Sequence, residues 1–226
     1  MTAALILYGS RARGDARSGS DVDLILAKVR GSPDTPKVVE GASIHFYPQE
    51  WLLKRASSGD LFVGHVALEG VGVYDPSGFL PRLRSTFTLK KSYRAECQVA
   101  AAVVELLISR NWRLEIALRR RYFWAIRTIG AATSARRGVP AYASASIEHA
   151  LSVAGLREHI DQREIATFAE CQKFGREILA LNSLEKSASI EALTEFLLQS
   201  GDIGKSTVRM FETHEAQELG AGALYS

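Results

Sequence analysis

Short apolar runs separated by polar and glycine-rich stretches dominate the first third of the chain. Runs of this length that end at Gly, Ser or Pro are typical of strands, whereas the two segments after Pro48 have helical spacing. The predicted strands are residues 4–8, 21–27, 42–47 and 72–74, and the predicted helices are 11–15, 50–56 and 60–68. This alternation predicts an α/β unit that ends near residue 87.

From residue 89 onward, apolar residues recur at helical spacing. One such series is Ala95, Val99, Val103 and Leu106, and a second covers residues 114–129. Further helices are predicted at residues 145–153, 163–181, 190–199 and 205–218. A helical bundle is therefore expected to follow the first unit, with domain limits at 1–87 and 88–226.

Composition and charge narrow the class of protein. With 226 residues, of which 46% are hydrophobic, the chain can bury a sizeable core, and its net charge of +3 suits an anionic substrate without demanding nucleic acid. Cys97 and Cys171 match no metal-ligand spacing and are expected to be reduced thiols. No signal-peptide pattern occurs, and no apolar stretch reaches the roughly 18 residues of a membrane span. We therefore expect a cytoplasmic protein with no membrane partner.

Two aspartates interrupt the second apolar run. Side chains two residues apart in a strand share a face, so Asp21 and Asp23 are predicted to lie side by side. The intervening apolar residues, expected to enter the core, are Val22, Leu24 and Leu26. Adjacent carboxylates repel unless a cation neutralises them, and oxygen ligands suit Mg²⁺ or Mn²⁺. The alternative interpretation is an edge strand whose aspartates face solvent.

A glycine and a serine end the first apolar run. Gly9 and Ser10 precede the short predicted helix, where free backbone N–H groups and the helix dipole favour a phosphate. Glycine allows a close approach to the backbone, and the serine adds a hydroxyl donor. Arg11 and Arg13 are expected to neutralise phosphate oxygens. The alternative is an ordinary turn.

Together the two motifs resemble a known family. GSRARG at residues 9–14, followed by SDVDLIL at residues 20–26, is similar to the minimal nucleotidyltransferase branch of the DNA polymerase β superfamily, and a looser likeness extends to about residue 76. The resemblance implies an α+β fold, with a small mixed-sheet nucleotidyltransferase domain followed by an all-helical bundle. It also implies that Gly9 and Ser10 hold a triphosphate and that Asp21 and Asp23 hold Mg²⁺. A hydroxyl would then attack the α-phosphorus and release pyrophosphate.

One position departs from the family pattern. Many relatives carry a third carboxylate on the next strand, where this sequence has His45. Three interpretations are open: a metal ligand, for which Mn²⁺ would suit better than Mg²⁺, a general base for the acceptor hydroxyl, or a strand residue with no catalytic role.

The residues and the resemblance together predict an Mg²⁺-dependent enzyme that moves a nucleoside monophosphate from an NTP, ATP first among the candidates, to a hydroxyl. The acceptor is a protein side chain, a small molecule or an RNA end, and the helical bundle is expected to recognise it. A homodimer is one option for assembly. The alternative is a nucleotide-binding or partner-binding module with weak turnover, such as an antitoxin-like protein.

An arginine-rich and aromatic run is the most prominent feature of the helical half. Its members are Arg110, Trp112, Arg113, Arg119, Arg120, Arg121, Tyr122, Phe123 and Trp124. At helical spacing, this run is typical of an apolar core stripe beside a solvated charged face. An RNA-binding platform, or arginines that face the nucleotide, are the alternatives.

Overall fold

A computed structural model describes residues 2–17, 20–109, 116–184 and 189–222, with side chains as far as residue 213. The chain divides into two compact units, Met1–Lys91 and Ser92–Ser226. The α+β fold class is confirmed, because the first unit contains a mixed sheet and the described part of the second contains helices and no strand. The domain limits of 1–87 and 88–226 stay a prediction. No helix within the described residues is both long enough and apolar enough to cross a membrane.

Five strands form the sheet of the first unit. They are β1 (Ala4–Tyr8), β2 (Val22–Lys28), β3 (Asp34–Val39), β4 (Ala42–Pro48) and β5 (Val71–Tyr74). Their spatial order is β3, β4, β2, β1, β5, and only the β2–β4 pair is parallel. Four strands match predicted segments. The edge strand β3 was not predicted, because all of its residues are exposed and it includes Pro36 and Lys37 rather than an apolar run.

Three helices pack on one face of this sheet. They are α2 (Gln49–Ser57), α3 (Leu61–Glu69) and α4 (Phe79–Thr86), and a short helix, α1 (Ser10–Arg13), follows β1. The core contains alternate residues of β1 and β2 together with apolar helix residues: Ala4, Ile6, Ile25, Ala27, Leu52, Val63, Val66 and Leu83. This alternation is the pattern of a strand with one covered face.

The prediction for the core face of β2 is wrong. Ile25 and Ala27 are fully buried, whereas Leu24 and Leu26 are only half-buried. Alternation along a strand defines two faces but does not say which one the helices cover, and here they cover the face that carries Ile25. Asp23 therefore lies on the core face of the sheet and not opposite it.

The second unit is a bundle of helices around one hydrophobic core. They are α5 (Arg94–Ser109), α6 (Ile116–Ala135), α7 (Ser144–Leu151), α8 (Leu156–Asp161), α9 (Phe168–Leu181), α10 (Ile190–Gln199) and α11 (Asp202–Gly222). α8 was not predicted, and α9 begins later than residue 163 because the Thr167 side chain caps it. Thr167 accepts a hydrogen bond from the Glu170 backbone, and Glu170 accepts one in return.

The arginine-rich and aromatic run contributes to the core of the bundle. Tyr122 and Phe123 are buried, while Arg120 on the same helix is exposed. Arg121 donates a hydrogen bond of 3.0 Å to Ser206 Oγ. The described part of the run thus forms an apolar stripe beside a charged face, as the amphipathic interpretation predicts. Arg110, Trp112 and Arg113 lie outside the described residues.

His159 is a buried imidazole in the same core. Its ring stacks on Phe174 with 4.4 Å between the centroids, and its Nε2 atom has no hydrogen-bond partner among the described residues. Burial lowers the pKa of His159 from 6.5 to about 4, and the nearby charge of Glu170 opposes this only in part. The ring is therefore neutral in the folded protein at neutral pH.

Acid is expected to destabilise the bundle through His159. The unfolded chain binds a proton near pH 6.5 and the folded chain only near pH 4, so stability is lost as the pH falls between these values. Linkage gives a loss of about 2 kcal/mol by pH 5. Urea unfolding of wild type and His159→Leu at pH 7 and pH 5 measures this, since leucine removes the titrating group. An equal loss in both proteins would contradict the assignment.

Candidate active site

Asp23 lies near the start of β2, the central strand of the sheet. Its register partners are Tyr8 on β1 and Ser43 on β4. Directly paired residues of neighbouring strands share a face, so these three side chains lie together at one end of the helix-covered face. Asp23 is half-buried, and the pKa of Tyr8 is raised by burial, by the Asp23 carboxylate and by Tyr47. A regular strand thus fixes the position of this carboxylate.

Gly9 connects β1 to α1, and its backbone lies beside the Asp23 carboxylate. Its φ of 78° lies in the left-handed region, and a Cβ at this position would be 3.0 Å from Asp23 Oδ2. The Gly9 carbonyl accepts hydrogen bonds from the backbone N–H groups of Ala12, at 3.1 Å, and Arg13, at 3.2 Å. Helix α1 therefore begins directly beside Asp23. The structure brings the glycine–serine motif and the aspartate motif together at one point.

Asp21 is exposed and immediately precedes β2. The backbone on either side of it is anchored. Arg11 donates two hydrogen bonds to the Ser20 carbonyl, of 3.1 Å from Nε and 2.8 Å from Nη2, and the Val22 N–H donates to the Gly41 carbonyl at 3.2 Å. Arg11, which the sequence assigns to phosphate, thus binds the chain one residue before Asp21.

Arg13 is also engaged by protein groups. Its Nη1 atom donates to Glu69 Oε2 at 2.7 Å and lies 3.3 Å from His65 Nε2, and its Nε atom donates to Asp15 Oδ2 at 3.1 Å. Burial lowers the pKa of Arg13, but the hydrogen bonds and charges of Glu69 and Asp15 outweigh it and raise that pKa. The guanidinium is therefore a charged link between α1 and α3. Phosphate binding by Arg11 and Arg13 stays a prediction.

Two residues of this network were missed by sequence reasoning. His65 and Glu69 lie four residues apart on α3, and their Nε2 and Oε2 atoms are 3.0 Å apart. The helical spacing was visible in the sequence, but the predicted helix ended at residue 68 and left Glu69 out. Arg13, the third member, is too far away in the sequence for any local pattern to indicate it.

His45 lies on the same face of β4 as Ser43, two residues further along. Its Nε2 atom is 3.3 Å from Ser43 Oγ, and its ring meets the edge of the Tyr8 ring at a centroid distance of 6.3 Å. Burial lowers the pKa of His45, and the Asp23 charge opposes this in part. The ring is therefore neutral near pH 7 and able to accept a proton. The position in register with Asp23, however, belongs to Ser43.

Asp21 and Asp23 are the carboxylates predicted to hold a divalent cation, and this role stays a prediction. Within the described residues, no group of three His, Cys, Asp or Glu side chains is arranged to hold a metal ion. Protein-bound Mg²⁺ is commonly held by one or two carboxylates together with substrate phosphates. Asp21 and Asp23 would supply those carboxylates beside the Gly9 turn.

Comparison with known families agrees with this geometry. Residues 2–55 match the family model described as a nucleotidyltransferase domain. The first part of the chain carries a nucleotidyltransferase domain of the DNA polymerase β superfamily. The matched region of this domain extends from β1 into α2 and contains both motifs and His45, whereas His65 and Glu69 lie beyond it.

The whole chain was also compared with solved structures and with curated proteins. Among solved structures, the chain is similar to a nucleotidyltransferase-like protein from Exiguobacterium sibiricum 255-15, with 16% sequence identity and a TM-score of 0.32. The alignment covers 89% of this chain and 72% of that one. A search of curated proteins gave no match. The assignment of the nucleotidyltransferase domain rests on the family model and on the two motifs.

Proposed function

We propose that the protein transfers a nucleoside monophosphate from an NTP to a hydroxyl acceptor and releases pyrophosphate. The observation that carries the proposal is the close approach of the Gly9 backbone to Asp23, since a Cβ added at this glycine would lie only 3.0 Å from a carboxylate oxygen. A turn that excludes side chains beside a fixed carboxylate suits a triphosphate whose charge is neutralised by a cation. The family match supports nucleotidyl transfer in general.

The site residues have different roles in binding the nucleotide. When bound by Asp21, Asp23 and the phosphates, Mg²⁺ would neutralise charge on the triphosphate and on the attacking oxygen. Gly9 gives the phosphates access to the backbone, and Ser10 supplies a hydroxyl donor at the start of α1. In the reaction, the acceptor oxygen bonds to the α-phosphorus, the bond to pyrophosphate breaks, and the acceptor proton passes to a base.

His45 is the proposed base for the acceptor proton. Its imidazole shares the face of Asp23, and burial lowers its pKa below 6.5, so the ring is a free base at neutral pH. ATP as the nucleotide and recognition of the acceptor by the helical unit are further parts of the proposal.

Removing His45 should slow transfer without preventing nucleotide binding. His45→Ala is expected to lose roughly 100-fold in rate at pH 7.5, within the range of general-base catalysis. The wild-type rate should fall only at a pH below the usual imidazole value of 6.5, because burial lowers the pKa of the ring, and His45→Ala should lose this dependence. His149→Ala, the same substitution at an exposed position of α7, serves as the control. Rates and pH profiles equal to wild type would exclude a catalytic role for His45.

A nucleotide-binding module without turnover is the second candidate function. The observation that favours it is Ser43, since the strand position beside Asp23 carries a hydroxyl rather than a third carboxylate. An antitoxin-like protein that binds a partner would need the fold but not the full set of charges.

Labelled nucleotide separates the two candidates. The protein is mixed with α-labelled ATP, Mg²⁺ and one of three acceptors, namely an aminoglycoside, an RNA oligonucleotide or total cell protein. Transfer of label with release of pyrophosphate supports the enzyme. Saturable ATP binding without release in any mixture supports the module, and absence of binding contradicts both.

A further inference from the structure

One carboxylate oxygen on α3 engages two side chains next to the candidate site. Glu69 Oε2 accepts a hydrogen bond of 2.7 Å from Arg13 Nη1 and lies 3.0 Å from His65 Nε2. The side chains are only 16% exposed for Arg13 and 20% exposed for Glu69 and His65. A charged contact at this depth is weakly screened and holds its partners in one geometry.

Arg13, the first partner of Glu69, connects it to the turn at Gly9. The backbone N–H of Arg13 donates to the Gly9 carbonyl at 3.2 Å, so the residue that Glu69 holds also closes the first turn of α1. The Gly9 backbone in turn lies beside the Asp23 carboxylate, because a Cβ added at Gly9 would be 3.0 Å from Asp23 Oδ2. A displacement of the Arg13 side chain would therefore be transmitted through one short helical turn to the contact beside Asp23.

His65, the second partner of Glu69, connects it to Tyr8, the strand residue opposite Asp23. The His65 ring packs edge-on against the Tyr8 ring, with centroids 5.4 Å apart and planes at 82°. Tyr8 is the register partner of Asp23 and directly precedes Gly9 in the chain. Two of the residues beside Asp23, Gly9 and Tyr8, are thus connected to Glu69.

We propose that Glu69 is a positioning residue of the nucleotide site, which holds Arg13 and His65 and through them sets Gly9 and Tyr8 against Asp23. The proposal rests on the proposed function, since it assigns Glu69 to the same site. Glu69 does not contact the nucleotide, and its carboxylate acts through the two side chains it binds.

Simple electrostatics predicts that removal of Glu69 strengthens NTP binding, which is the opposite of the effect expected from a positioning residue. If Arg13 were itself the phosphate ligand, Glu69 would compete for that guanidinium. Its loss would then free the charge and strengthen NTP binding. If Glu69 positions the turn, its loss weakens NTP binding although a negative charge has been removed. The sign of the change in affinity therefore distinguishes a positioning residue from a competing anion.

Calorimetry of the full chain with a non-hydrolysable ATP analogue and MgCl₂ measures the direction of the change in nucleotide affinity. Glu69→Ala is expected to raise the Kd at least tenfold and Glu69→Gln by a smaller factor. Asp60→Ala is the matched control, because Asp60 caps the other end of α3 through the Val63 N–H and its loss destabilises the same helix. The control should bind within twofold of wild type, and thermal melts identify the variants that fold.

A double substitution tests the route through Arg13. Arg13→Gln should weaken binding, and the double variant of Arg13→Gln with Glu69→Gln should be no weaker than the worse single variant. Unchanged or tighter binding in both folded Glu69 variants, or equal weakening in Asp60→Ala, would overturn the positioning role while leaving the proposed function intact. A wild-type protein that does not bind the analogue would overturn the proposed function and this proposal with it.

Discussion

Replacing Asp23 with asparagine is expected to reduce nucleotidyl transfer by at least about 100-fold, the order of effect seen when charge stabilisation at a reacting phosphate is lost. The carboxylate lies on the central strand, half-buried, and its register partners Tyr8 and Ser43 carry no carboxylate that could replace it. Asparagine keeps the shape but loses the charge that would hold a cation. Asp21→Asn is expected to act in the same direction.

The fold of Asp23→Asn should be intact. Asp34→Asn is the matched control, because Asp34 lies on the exposed edge strand β3 and forms an ion pair with Lys28, at the end of β2 away from Asp23. Transfer of label from α-labelled ATP is measured for wild type and both variants at equal purity. Wild-type rates in Asp23→Asn would show that the carboxylate has no part in the reaction.

Replacing Gly9 with alanine is expected to weaken NTP binding at least tenfold, about 1.4 kcal/mol. The added methyl group would lie 3.0 Å from Asp23 Oδ2 and would occupy space beside the phosphates. Positive φ adds strain, because L-amino-acid residues rarely adopt it and glycine does so readily. Gly9→Val should have a larger effect of the same kind.

A second glycine at positive φ serves as the control. Gly14 ends α1 with a φ of 80° and a ψ of 13°, and a Cβ there would meet nothing within 4 Å. Gly9 has a ψ of -157°, a backbone region that essentially only glycine adopts, so Gly14→Ala carries less strain and also lacks the close approach to Asp23. Its NTP affinity should remain within about threefold of wild type. If calorimetry finds equal weakening in both variants, the Asp23 contact is irrelevant and the phosphate site lies elsewhere.

Local patterns predicted the strands that carry the candidate site. β1, β2 and β4 have apolar residues of high strand propensity, and Gly9-Ser10 ends the first of them. The meeting of Gly9 with Asp23 follows from this order, because the connection through α1 returns the chain antiparallel beside β1 and pairs Tyr8 with Asp23. The helix α4 was not predicted. Pro81 lies in its first turn, where a missing N–H is tolerated.

Properties that depend on distant residues could not be predicted in this way. The core face of β2 is chosen by α2 and α3, which follow later in the chain, so alternation alone put Leu24 rather than Ile25 in the core. The register of the parallel β2–β4 pair decides that Ser43, and not His45, lies opposite Asp23. The ion pair of Arg13 with Glu69 could not be predicted, because the two residues lie 56 positions apart in the sequence.

Gly9 and Asp23 are proposed to form one nucleotide site. A crystal structure with a non-hydrolysable ATP analogue and Mn²⁺ tests it most directly, because the anomalous signal locates the ion independently of the nucleotide. We predict that the triphosphate lies against Gly9 and Ser10, with the ion between its phosphates and the Asp23 carboxylate. A triphosphate bound away from Gly9, or an ion with no contact to Asp23, would contradict the account.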